Sequence, residues 1–253
     1  MGRLMAALLL AVVMVGAALA APVDDADPLG SARWADMRRA FFADQPVVFD
    51  ARVKVVAPLD AENPMQVPVT VDAAELRDAR EVLVFADFNP IIQVLRFYPE
   101  RASAYLGFRI KLQQSSPVRG AVRTSDGVWH VGGTWVNTVG GGCTAPSAAA
   151  TSPEWQRRLN EVSGRQWSEG PLAGRVRMRI VHPMDTGLVA GIPAFFLDEL
   201  EFLSSEGVLL MRVQPFEPVS ENPVFTLQQG APGRVRTVGR DNNGNRFEAW
   251  IEP

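Results

Sequence analysis

Residues 140–143 read Gly-Gly-Gly-Cys, and Cys143 is the only cysteine among 253 residues. Three residues without side chains let a backbone extend, reverse and pass a narrow opening while presenting one sulfur. The chemistry this suits is that of an accessible thiol acting as a nucleophile through its thiolate. A lone cysteine can equally be a buried structural residue, because free cysteine is among the most buried residue types. Three preceding glycines, each costing conformational entropy on ordering, argue for the functional thiol, with Gly140, Gly141 and Gly142 as its arm. No Lys, Arg or His lies near Cys143 in sequence to set its pKa.

The other residues capable of chemistry are few. A Cys–His hydrolase dyad needs His130 or His182 to fold against the glycine segment; His130 reads as a strand residue and His182 as fixing the loop after a strand. Two histidines and one cysteine make no zinc set, and the glycines lack the lysine of a phosphate loop. No cofactor and no metal are expected. Asp241, Asn243, Asn245 and Glu252 take ligand positions of a calcium loop, but Arg246 stands where that loop requires glycine, so a hairpin turn is the better reading. Arg175, Arg177 and Arg179 alternate along a strand and could form a basic edge for an anionic cargo or acidic partner. A solvated face with Glu199 and Glu201 opposite is preferred.

The elements that must position these residues are mostly strands. Phe49, Ala51, Val53 and Val55 alternate with polar residues, as do Val67, Val69 and Val71, where Pro68 places its strand at an edge or bulge. Further strands are expected at 82–85, 91–97, 108–112, 121–123, 128–131 and 134–139, the last running straight into the glycines. Residues 27–42 read as a short helix with Ser31 as N-cap. After Cys143 a run of small residues to Thr151 forms a linker. Ser152-Pro153 then begins a second helix with Trp155, Leu159 and Val162 on one face, ending at Gly164. Alternation from Arg175 onward supplies a second set of strands.

Arg3, an apolar run and small residues ending at Ala20 form a secretory signal peptide. Its loss leaves 24 basic residues (25 less Arg3) against 28 acidic ones, near −4, unlike the basic footprint of a nucleic-acid binder. The expected organisation is all-β: a signal peptide at 1–20, a β-sandwich at 21–143, a linker with a short helix at 144–172, and a second sandwich at 173–253. No later segment is apolar enough to span a membrane.

Several motifs carry a family resemblance. Residues 57–63 (Ala-Pro-Leu-Asp-Ala-Glu-Asn) with Val67-Pro68-Val69, and the Gly140–Cys143 arm, resemble the SoxY subunit of the SoxYZ carrier of sulfur oxidation. His182-Pro183-Met184-Asp185-Thr186-Gly187, Ile192–Phe196 and Val219–Pro223 resemble its SoxZ subunit. The resemblance implies a periplasmic, non-enzymatic carrier in which two immunoglobulin-like β-sandwiches pack together and whose cysteine, here Cys143, is joined oxidatively to thiosulfate or a related species and visits redox and hydrolase partners. Fused chains of this order are similar to carriers associated with quinoprotein dehydrogenases. The family arm is a free C-terminal tail, whereas Thr144-Ala145-Pro146 and a further hundred residues make this one a tethered loop. The competing functions are a non-covalent adaptor of a periplasmic dehydrogenase, in which the loop only packs at an interface, and a thiol-dependent hydrolase or transferase.

Overall fold

A computed structural model describes residues 26–148, 154–170, 173–230 and 233–253; the expected signal peptide and residues 149–153 of the linker lie outside them. The first half contributes helix α1 (Trp34–Phe42) and strands β1 (Val47–Phe49), β2 (Lys54–Val56), β3 (Asp60–Ala61), β4 (Val67–Asp72), β5 (Ala79–Ala86), β6 (Gln93–Tyr98), β7 (Tyr105–Ile110), β8 (Ser116–Thr124) and β9 (Trp129–Thr138). Helix α2 (Glu154–Arg158) leads into β10 (Val162–Gly170), β11 (Ala173–Ile180), β12 (Leu197–Leu203), β13 (Leu209–Pro215), β14 (Val224–Gln229), β15 (Val235–Asp241) and β16 (Arg246–Ile251).

The all-β reading holds, and the two halves are more deeply joined than two beads on a linker. One sheet runs β1-β9-β8-β5-β6-β13-β12-β15-β16 with β3 beside β9, and the other runs β10-β11-β14-β7-β4-β2. Each half places strands in both sheets, so the halves meet edge to edge twice: β6 pairs β13 with Phe97 opposite Val213, and β7 pairs β14 with Leu106 opposite Leu227. Edge strands that would invite aggregation are thereby consumed internally. One apolar core between the sheets includes Val69, Phe97 and Phe108 of the first half and Met178, Phe202 and Phe225 of the second.

Local differences from the sequence pattern have clear causes. The alternation from Phe49 to Val55 is not one strand: the Asp50 carboxylate accepts the Arg52 amide at 2.9 Å and the Asp50 carbonyl accepts Val53 N at 3.0 Å, turning the chain from one sheet to the other. Helix α1 starts later than expected because Asp27 spends its carboxylate on the amides of Leu29 and Ser31 and on Arg119. It covers the outer face of the larger sheet with Trp34, Met37 and Phe42, which is why β5 and β8 are buried on both faces. Pro68 keeps its place because β2 pairs only with residues 70–72 of β4, leaving the proline side of the ladder open.

The second helix is shorter than its apolar spacing predicts. Asn160 adopts a left-handed backbone (φ 63°) that ends it, as a helix C-terminus favours. Residues 162–170, expected within the linker, instead form an edge strand paired along β11, with Val162 against the core. No helix among the described residues is long and apolar enough to cross a membrane.

Candidate functional site

Strand β9 delivers the chain to the glycines. Its end is held by Ser115, whose hydroxyl accepts the Thr138 amide at 3.0 Å. Val139 then projects into solvent at 92% exposure, and the chain turns back under residues 112–113. Gly141 N donates to Gln113 O and Gly142 N to Leu112 O, both at 3.0 Å. Gly140 and Gly141 both have φ +86°, where a Cβ is strained. A Cβ on Gly140 would stand 2.5 Å from Gln113 O, and one on Gly142 would stand 2.1 Å from Pro64 O. All three glycines are thus demanded by the tucked position itself.

This packing changes the meaning of the motif. The glycines were expected to present an accessible sulfur, yet Cys143 is fully buried. Its thiol donates to Lys111 O at 3.6 Å, and its carbonyl accepts the Thr186 hydroxyl at 2.7 Å. Burial pushes the Cys143 thiol up to about 11, against the pull of the nearby Lys111 ammonium. At pH 7 a group with that pKa is thiolate in roughly one molecule in ten thousand, so the stowed sulfur is a poor nucleophile.

Lys111 is the residue that the sequence pattern hides. It follows the alternating Phe108–Ile110 stretch and reads as an outward polar residue, but it is 2% exposed. Its ammonium reaches into the second half, donating to the carbonyls of Met184 and Glu217. Burial lowers the Lys111 amine to about 8, while Asp185, Cys143, Glu221 and Glu217 oppose that shift. The chain after the cysteine is held by the same half: Ser147 N donates to Asp185 Oδ1 at 3.4 Å and Ala148 N to Glu221 Oε2 at 2.8 Å. Met184, Asp185 and Thr186, seen in the sequence only as part of a motif, form the seat of the arm.

Neither histidine addresses the sulfur. His130 on β9 is held between Asp50 (Nδ1 to Oδ2, 2.7 Å) and Thr124 (Nε2 to Oγ1, 3.3 Å). His182 is buried: its Nδ1 accepts Met184 N at 3.2 Å, so the proton sits on Nε2, which lies 3.7 Å from Asp241 Oδ2. Asp241 also accepts the amides of Asn243 and Asn245, the hairpin turn expected there. Among the described residues no group of three His, Cys, Asp or Glu could hold a metal.

Burial lowers the His182 pKa to about 4, opposed by Asp241. A depressed folded pKa means stability that is full above the ordinary value near 6.5 and is lost as pH falls through 4. Urea melts should lose about 1–3 kcal/mol between pH 6.5 and 4, and His182→Gln should flatten that slope. An equal slope in the variant would assign the acid sensitivity to other groups.

Residues 38–143 match the family model described as "Sulfur oxidation protein SoxY", and residues 169–252 match "Sulphur oxidation protein SoxZ". No curated protein matches the chain. Among solved structures, the sulfur carrier protein SoxY from Chlorobium limicola f thiosulfatophilum is 23% identical; the match covers 42% of this chain and 96% of that one, with a TM-score of 0.37.

Proposed function

This chain, with a SoxY unit followed by a SoxZ unit, is a fused SoxYZ-like sulfur carrier, and from that premise we propose that its cargo is carried covalently on Cys143. The observation that supports this most is that the chain's one thiol sits on a three-glycine segment docked on residues 112–113 by two backbone bonds and woven into no sheet. Such a segment can leave its seat without unfolding a sandwich.

In this reading the buried arm is a storage position and the working position is extended. Anchored near Thr138 and Ala148, five residues on either side, the sulfur can travel roughly 15 Å at about 3.3 Å per residue. A tether at both ends suits a partner with a wide mouth better than one with a deep tunnel. Outside its seat the thiol regains an ordinary pKa. Oxidative loading with thiosulfate then forms a Cys143 S–S bond and releases one proton and two electrons to a redox partner; a hydrolase partner removes the oxidised sulfur. The chain itself is read as non-catalytic, exported to the periplasm, and serving partners of sulfur oxidation or of a quinoprotein dehydrogenase system.

The burial of Cys143 favours a second reading, an adaptor in which the loop is structural. Intact mass spectrometry of the periplasmic protein, with and without reductant, separates the two. Carriage predicts reductant-labile additions of sulfur, sulfite or thiosulfate that map to residues 140–155 and vanish in Cys143→Ser. A thiol that is uniformly unmodified in cells oxidising thiosulfate, with Cys143→Ser fully functional, would leave the adaptor.

A further inference from the structure

The three arginines of β11 do not meet the partners expected of them. Val176, Met178 and Ile180 fill the core, so the period of two turns Arg175, Arg177 and Arg179 outward. Glu199 and Glu201 lie on β12 in the other sheet; Glu199 is engaged by Arg212 and Arg240. The strands that actually flank β11 place Ser163, Arg165 and Trp167 on one side and Val224, Thr226 and Gln228 on the other, none of them acidic. Arg109 on β7 extends the same face.

The clustering is what sets this face apart. On the larger sheet Arg123 is paired with Glu81, Arg234 with Glu252 and Arg240 with Asp198, while Arg80 and Arg246, which have no carboxylate within 4.0 Å among the described residues, stand apart on β5 and β16. Among the described residues, Arg109, Arg165, Arg177 and Arg179 have none within 4.0 Å, and Glu161, whose carboxyl feels the Arg179 charge, is already held by Arg158. Arg165 stands directly opposite Arg177, a like-charge cross-strand pair that costs stability. A chain of net charge −3 thus gathers unpaired positive charge on one sheet face.

We infer that this face docks an acidic protein surface, that of the enzyme which loads or unloads the arm. Two shallow clefts of about 230 and 260 Å³ flank Arg177, the first lined also by Arg109 and the second by Arg165 and Arg179, and each can receive a carboxylate side chain. Arg179 also lines a neighbouring cleft of mixed charge with Arg158, Glu154, Glu221 and Ala148, so the basic face borders the segment that tethers Cys143. Bidentate guanidinium–carboxylate pairing and long-range attraction would orient the partner over the arm before it extends. The identity of the partner as a sulfur-handling enzyme rests on the carrier reading; the acidic chemistry of its contact surface does not.

The test uses the full chain and a fluorescein-labelled poly-L-glutamate peptide, read by anisotropy across a salt series. Binding should weaken with salt and fall about tenfold in R165Q/R177Q/R179Q, as loss of clustered interfacial charge does. R234Q/R236Q/R240Q, with the same change in net charge, should bind as the parent does, and so should Cys143→Ser, which separates this surface from the covalent role. Thermal melts of the first triple variant should be no lower than the parent's, since a repulsive pair is relieved. Absence of peptide binding, equal loss in both triple variants, or capture of phosphatidylglycerol vesicles in preference to the peptide would overturn the proposal.

Discussion

Gly142→Ala should release the thiol. The added methyl would stand 2.1 Å from Pro64 O and 2.8 Å from Leu112 O, both backbone atoms that cannot swing aside. Forcing an extra carbon into such packing costs about 1–3 kcal/mol, and here the cost falls on the stowed position of the arm alone. Alkylation of Cys143 by iodoacetamide should therefore accelerate roughly 10- to 100-fold, with the global melting temperature nearly unchanged. Gly141→Ala meets open space and suffers only its positive φ, so its effect should be smaller, near tenfold for the 1–2 kcal/mol such a conformation costs. If Gly142→Ala lowers the melting temperature and leaves alkylation slow until the protein unfolds, the arm belongs to the global fold and does not open by itself.

Alkaline pH should expose the opposition between Lys111 and Cys143. The Lys111 amine is lowered from 10.5 to about 8 in the fold, so its contribution is full above 10.5 and is lost as pH falls through 8. The Cys143 thiol is raised from 9.0 to about 11, so its contribution is full below 9.0 and is lost as pH rises through 11. Each shift corresponds to about 3 kcal/mol of opposite sign over nearly the same window. Across pH 8–11 the parent should show little change from this pair. Cys143→Ser should become more stable relative to the parent as pH rises, by up to about 3 kcal/mol, while Lys111→Met should become less stable by a similar amount. Parallel pH profiles in all three proteins would show that folding shifts the titration of neither group.

The same pair bears on how a loaded arm behaves. A thiosulfonate or persulfide on Cys143 carries negative charge, and Lys111 is the buried cation facing the seat; the empty arm returns a neutral thiol. In the proposed carriage, charge on the cargo would set how firmly the arm sits, through one lysine that spans both halves by its bonds to Met184 and Glu217.

How much of this was legible beforehand can be followed residue by residue. Val69, Val71, Phe108 and Ile110 revealed their strands because a strand has a period of two and one of its faces is buried. The single Cys143 and its glycines marked the candidate site, and the motifs around Pro58 and His182 marked the two units in chain order. These are local properties, written in the spacing of neighbouring residues. The sequence alone thus determined an all-β chain with one thiol on a glycine segment between two related halves.

Tertiary structure decided the rest, because it depends on which strands become neighbours. Lys111 lies 32 residues from Cys143 and Thr186 lies 43 residues from it, and the joining of the halves through β6–β13 and β7–β14 brings them to one seat. That seat turned three glycines from a sign of exposure into the means of burial, since the backbone carbonyls of Pro64 and Gln113 leave no room for a side chain. The arginines of β11 were visible at once, but the lack of carboxylates beside Arg177 and Arg179 was not: charge pairing across a sheet is set by strand order, and strand order placed Glu199 and Glu201 in the opposite sheet.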